Sequence, residues 1–216
     1  MSRSSSHVAA SVVVATVFLS SLVWFSATRV SRVSALKAFQ GRTLSIVPSE
    51  SKVSVSVGKA GLLSTIAHEH TITARAFSGK IQLAGDDAKS GSVEVEFDAA
   101  SLKVGDQGIS AQDRTEIQKT METEVLEVSR FPKINFQSTS VRGDGKNVNV
   151  EGNLTLHGVT RKITVPVDVS LTGDNLRATG KVAFKQTDFG IKPYSKGGGS
   201  IRVKDEVVLN FQIAAR

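Results

Sequence analysis

The chain has 216 residues, 40% of them hydrophobic and 22% charged, which suits one domain with an ordinary core and a small additional element. It contains no cysteine, which excludes disulfides, thiolate zinc sites, a cysteine nucleophile and a lipid-modified cysteine. Much of the formal charge of +7 comes from Arg3, Arg29, Arg32 and Lys37, unopposed by any acid in the first 37 residues, so it signals targeting and not nucleic-acid binding.

That first stretch is the first predicted element. Val8 to Ala27 carries no charge, and as a helix it is long enough to cross a bilayer core. Arg3 and the amino terminus precede it, as in a signal peptide. "VSA" at 33–35 offers a small-residue cleavage pattern, whereas the length of the run and the positions of Arg29 and Arg32 suit an anchor. Both readings stay open. Residues 1–37 are therefore a signal peptide or signal anchor, and 38–216 an exported domain. Its place is the periplasm or another extracytoplasmic space, attached to the inner membrane if the segment is retained.

From about residue 43 the texture changes to period two. "SKVSVSVG" sets Val53, Val55 and Val57 against Lys52, Ser54 and Ser56, and "SVEVEF" sets Val93, Val95 and Phe97 against Glu94 and Glu96. "KINFQS" places Ile134 and Phe136 on one face, and "NVNVEGNLTL" does so for Val148, Val150, Leu154 and Leu156. In "KITVPVDVSL", Ile163, Val165, Val167, Val169 and Leu171 oppose Lys162, Thr164, Pro166, Asp168 and Ser170. "NLRATGKVAF" and "EVVLNFQI" close the set with Leu176, Ala178, Val182 and Phe184, then Val207, Leu209, Phe211 and Ile213. Such alternation predicts half-buried antiparallel strands, one face dry and one wet. "GDDAKSG", "GDGKN", "HGVT", "TGDN" and "KGGGS" are turn signals between them. Many short strands at this spacing favour a barrel or a sandwich.

One segment differs. "SAQDRTEIQKTMETEVLEV" spaces Ile117, Met121 and Val125 four apart, which predicts one short flanking helix, started by Ser110 or Asp113 and ended before Pro132.

The runs "SVEVEFDAASL", "DRTEIQKTME", "RFPKINFQSTSV", "GNLTLHGVTRKITVPV" and "KQTDFGIKPYSKGGGSIRVKDEVVLNFQI" occur in consistent order over roughly residues 43–216. Together they resemble the YceI-like family. The resemblance implies an all-β fold, an eight-stranded antiparallel lipocalin-like barrel, whose apolar tunnel holds a polyisoprenoid or similar long lipid for carriage or storage. It implies a binding protein, not an enzyme, with no cofactor. The tunnel wall would be drawn from Val53, Val55, Val57, Val95, Phe97, Phe136, Val165, Val167, Val169, Phe184, Leu209 and Phe211. A lipid is the expected partner, the membrane a second one if residues 1–37 are uncleaved, and pairing of two barrels stays open. The structural alternative is a barrel filled by its own side chains.

"AHEHTITA" at 67–74 poses a separate question. In a strand from His68 to Ala76, His68, His70, Ile72, Ala74 and Ala76 share a face. Two imidazoles so placed are either a polar collar on the tunnel or part of a divalent-metal site. The metal reading needs a third ligand; Glu69 points the other way, and His157 sits in a turn signal. A metal-binding protein or metal-dependent enzyme using His68 and His70 is thus the alternative function. For the export reading, a reporter active only in the cytoplasm and fused after Arg216 is expected to give no signal. Strong activity would place the domain inside the cell, and residues 1–37 retained in the mature protein would decide for an anchor.

Overall fold

The computed structural model describes residues 41–61, 70–85, 88–106 and 108–216; the apolar run at Val8 to Ala27, the boundary at residue 38 and His68 lie outside the described residues. Among the described residues, no helix is long and apolar enough to cross a membrane.

Each alternating run folds as a strand. In chain order the strands are β1 (Arg42–Ser45), β2 (Lys52–Ala60), β3 (His70–Ala74), β4 (Phe77–Leu83), β5 (Gly91–Asp98) and β6 (Leu102–Val104). After the helix α1 (Ala111–Thr120) come β7 (Lys133–Gly143), β8 (Asn147–Leu156), β9 (Val159–Thr172), β10 (Asn175–Lys185), β11 (Ser195–Lys196) and β12 (Ile201–Ala215). They pair into one antiparallel sheet in the order β1-β4-β5-β7-β8-β9-β10-β12-β2-β3-β6, with β11 on β12. Against the eight strands expected there are twelve among the described residues, partly because long strands bend. Only Arg75 and Ala76 separate β3 from β4, and only Ala99–Ser101 separate β5 from β6.

The sheet curls. The Ser45 N–H donates to the Arg216 carbonyl at 2.8 Å, the Arg216 N–H returns to Ser45 at 3.0 Å, and the Val47 N–H donates to Ala214 at 2.8 Å. The first strand in the order thereby meets the end of β12, and the sheet forms a curled antiparallel half-barrel of lipocalin-like type. Curling puts one face of every strand inside. On β9, Val165 and Val167 are buried while Lys162, Thr164, Pro166 and Asp168 are exposed, as the alternation requires. The same face of the other strands brings Leu44, Val53, Ile81, Val148, Val150 and Leu176 into one apolar cluster.

Two glycines shape that interior. Gly180 on β10 lies opposite Phe211 on β12, and an added Cβ would collide with the Phe211 ring and the Pro166 carbonyl. Gly152 on β8 is covered by Phe136, whose Cζ would stand 2.5 Å from a Cβ there. Each ring therefore rests on bare backbone, the cross-strand device that compensates a strand glycine.

The helix covers an open edge. The Ser110 hydroxyl accepts from the Asp113 N–H at 3.0 Å, so Ser110 is the N-cap. Gln118 then substitutes for a neighbouring strand: its Nε2 donates to the Leu102 carbonyl at 2.8 Å and its Oε1 accepts from the Val104 N–H at 2.9 Å. Edge groups of β6 that would otherwise stay unpaired are satisfied in this way. A π turn over Met121–Val125 ends the helix and leaves Met121 buried against the main cluster.

Replacing either glycine by valine is expected to cost about 1–3 kcal/mol through overpacking, whereas Thr179→Val on the exposed face should stay within about 0.5 kcal/mol. Urea unfolding of the three variants checks this.

Candidate functional site

The inner faces enclose an apolar cavity of about 160 Å³. Val53, Val95, Phe97 and Phe136 line it from β2, β5 and β7. Val165, Val167 and Val169 line it from β9, and Leu209 and Phe211 from β12. The residues with polar side chains in its lining are Gln82, Ser90 and Ser92, in and beside the β4–β5 hairpin. The other three residues expected at the wall lie elsewhere. Val57 lines a second cavity of about 410 Å³ under α1. Val55 stands between Val53 and Val57 on the same face, paired with Ile72 and Leu209, and lines neither cavity. Phe184 packs edge-on to Phe189, ring centroids 5.4 Å apart, against a separate cluster of Leu154, Leu156 and Ile191.

Ile81 and Leu83 on β4 also line the bore, and the strand readings passed over them. Gly79 interrupts their alternation, so β4 shows only Phe77, Ile81 and Leu83 as a broken apolar face.

The second cavity is different in character. Along β2 the inward face runs Val53, Val55, Val57 and then Lys59; along β3 it runs Ala74, Ile72 and then His70, which is paired with Val57. Both strands thus turn polar at the same end. Lys59, His70, Asp113, Glu116, Lys196 and Arg202 line this cavity together with Ile72, Val104, Ile117 and Met121.

His70 is fixed there by Asp106, a residue the sequence reading did not single out. The carboxylate is only 2% exposed; Oδ2 lies 2.5 Å from His70 Nδ1, and Oδ1 accepts from the Thr71 N–H at 2.6 Å. A carboxylate accepts, so Nδ1–H donates and Nε2 is the ring's remaining polar atom. Arg114 on α1 donates to the Asp106 carbonyl at 2.7 Å and ties the loop to the helix. His157, with φ 52°, and Gly158, with φ 73°, form the two-residue β8–β9 turn, where the imidazole packs against Phe131 with ring centroids 4.3 Å apart and planes tilted by 52°. It lines neither cavity. Among the described residues, no three of His, Cys, Asp or Glu are grouped to hold a metal ion; His68 is outside them.

The "KQTDFGIKPY" stretch contributes Gln186 and Tyr194 to another wall of this cavity. Gln186 is buried and donates to the Lys204 carbonyl at 2.8 Å. Asp205 accepts from the Thr187 hydroxyl at 2.7 Å and its N–H at 2.9 Å, bonds that hold its carboxyl below the usual carboxylate range. Gly190, with φ 72°, closes this turn and leaves Phe189 and Ile191 buried.

Residues 44–215 match the family model of the YceI-like domain. Curated relatives include a UPF0312 protein of Enterobacter sp. (strain 638) and Protein YceI of Salmonella arizonae, each 38% identical over 76 residues. Those alignments cover 32% of this chain and 38% and 39% of the two relatives, well under half of their length. Among solved structures, Burkholderia cenocepacia BcnA superposes with a TM-score of 0.64 at 24% identity, covering 79% of this chain and 99% of BcnA. A polyisoprenoid binding domain from Saccharophagus degradans gives 0.57 at 16% identity, covering 80% of this chain and 97% of that domain. At these identities the likeness is one of fold.

The buried face of β9 gives a direct test. Val167→Asp puts a carboxylate without a partner into the bore and is expected to cost about 3 kcal/mol or more, or to prevent folding. Thr164→Asp, exposed but paired across the strands with Glu151, should cost less than about 1 kcal/mol. Equal tolerance in thermal melts would reverse the assignment of faces.

Proposed function

We propose that this chain, which belongs to the YceI-like family, is an exported binding protein that holds one long apolar lipid lengthwise in an eight-stranded lipocalin-like barrel, for carriage or storage. The observation that carries this reading is the apolar cavity walled by valine, phenylalanine, isoleucine and leucine from eight strands that the sheet order brings around it. A barrel of this size has room for one slender ligand. Burial of a hydrocarbon chain gains about 0.8 kcal/mol per methylene, so a polyisoprenoid or acyl chain needs little directional contact along the bore. The structural likeness to a polyisoprenoid binding domain supports the choice of lipid class. Strand counting supports the eight-stranded form, with β3–β4 and β5–β6 each taken as one bent strand and the short β1 and β11 left out of the count.

Export rests on the uncharged run from Val8 to Ala27 and the basic residues around it. In this reading the barrel lies in the periplasm or an equivalent space, and its role is to shield a hydrocarbon chain from water, with no chemical step.

The test is an organic extract of the purified full chain, analysed by mass spectrometry, followed by reconstitution of delipidated protein with a C20 polyprenol. A co-purified isoprenoid or long acyl lipid is expected. At a ligand concentration one hundred times Kd, bound lipid should add about 2.7 kcal/mol to stability, read as a raised Tm. An extract without long-chain lipid, together with an unchanged Tm, would overturn the proposal.

A further inference from the structure

We infer that the β11–β12 hairpin is a docking surface for an anionic lipid bilayer, with Ile201 as its apolar anchor and Lys192, Lys196, Arg202 and Lys204 around it. The choice of partner rests on the lipid reading, because a long hydrocarbon that water does not dissolve is loaded and unloaded at a membrane.

The sequence of the hairpin is one-sided in charge. Residues 192–204, "KPYSKGGGSIRVK", hold four cations and no acid, and all four cations are exposed. Among the described residues, Lys192, Arg202 and Lys204 take part in no ion pair, and Lys196 has one exposed partner, Glu116 on α1, at 3.9 Å. The acids nearest along β12 are occupied elsewhere. Asp205 accepts twice from Thr187, and Glu206 stands across from Lys185. Asp113 on α1 accepts from the Ser110 hydroxyl at 2.7 Å.

Ile201 sits in the middle of this charge. It is 46% exposed, the large hydrophobic side chain that stands out from the surface of the described residues, and it pairs across the hairpin with Lys196. A single exposed isoleucine is ordinary on a protein surface. One flanked by cations on a hairpin free of acids has the make-up of an interfacial anchor, an apolar group for the acyl boundary and cations for the phosphates beside it. The tip is also accessible. Gly197, Gly198 and Gly199 turn with φ of 63°, 62° and 91°, and a Cβ added to Gly198 or Gly199 would meet no atom within 4 Å. Among the described residues β11 pairs with β12 alone, so its other edge is open.

The chain has no cysteine, so Ser195→Cys, at an exposed position of β11, gives the full-length protein one site for an environment-sensitive fluorophore. Vesicles of phosphatidylcholine with about one-third phosphatidylglycerol are expected to shift its emission to the blue, and pure phosphatidylcholine vesicles to leave it unchanged. The same label at Thr164→Cys, exposed on β9, should stay silent with both. Contact made by residues 1–37 alone does not reach the label on β11. Lys192→Gln and Lys204→Gln, whose side chains line neither cavity, should each weaken partitioning about fivefold. Ile201→Ser should weaken it about fivefold or more. A silent β11 label on anionic vesicles, an equal response to neutral ones, or unchanged partitioning in variants with the wild-type Tm would overturn the docking surface. Each would leave the lipid reading, which the organic extract tests, standing. A response to polyglutamate but not to vesicles would overturn the bilayer in favour of an acidic protein partner.

Discussion

The interior depends on the backbone bonds that pin Ser45 and Val47 to Arg216 and Ala214. An antiparallel sheet with one apolar face has two ways to dry it: stack it on another layer, or curl until the face encloses itself. Here the curl is held by a strand of only four residues, β1, whose end meets the end of β12. Ser51 reinforces the join, since its hydroxyl accepts from the Ala214 N–H at 3.0 Å and donates to the Val47 carbonyl at 2.7 Å. Without that join, the apolar faces of β2, β9 and β12 would have no common interior, and unpaired edges would be open to other chains. At the other end of the strand order, α1 performs the same service for β6 through Gln118.

The two cavities differ in character. Along the bore, apolar area is the attractive quantity; it scales with contact and has no direction, so it suits ligands that differ in length or branching. At the rim under α1, the chain invests in fixed polar atoms, with a buried carboxylate holding a ring. These fixed polar atoms set the cavity under α1 apart from the apolar bore. The same segment that carries the loop to Asp106 is tied to α1 by Arg114, so helix, loop and imidazole are one structural unit.

Much of this was legible in the sequence because period two is a property of single strands. The run Lys162–Leu171 declares its faces without reference to any neighbour, and its buried and exposed residues fall as read. Parity, however, gives the face of a strand and not the depth along the axis. Phe184 has the inward parity of Leu176 and Ala178, yet it lies at the far end of β10, where Phe189 and Ile191 meet it. Val55 shares a face with Val53 and Val57 but falls between the two cavities that they line. β4 was obscured for a local reason, the glycine in the middle of its apolar face. Asp106 was hidden for a global one: in "VGDQG" it looks like any turn aspartate, and only the antiparallel pairing of β3 with β6 brings it beside His70, 36 positions earlier.

The glycines beneath Phe136 and Phe211 have a mechanical consequence. Because each ring lies on bare backbone instead of pointing across the interior, the folded wall encloses volume that its own side chains do not fill. Unfolding gives that volume up, and the volume change that drives pressure denaturation scales with the internal void eliminated. An internal void of this kind favours unfolding under hydrostatic pressure, and in the proposed lipid complex a hydrocarbon chain would take up that space. The apolar ligand would then act as a structural member, stiffening the wall that shelters it.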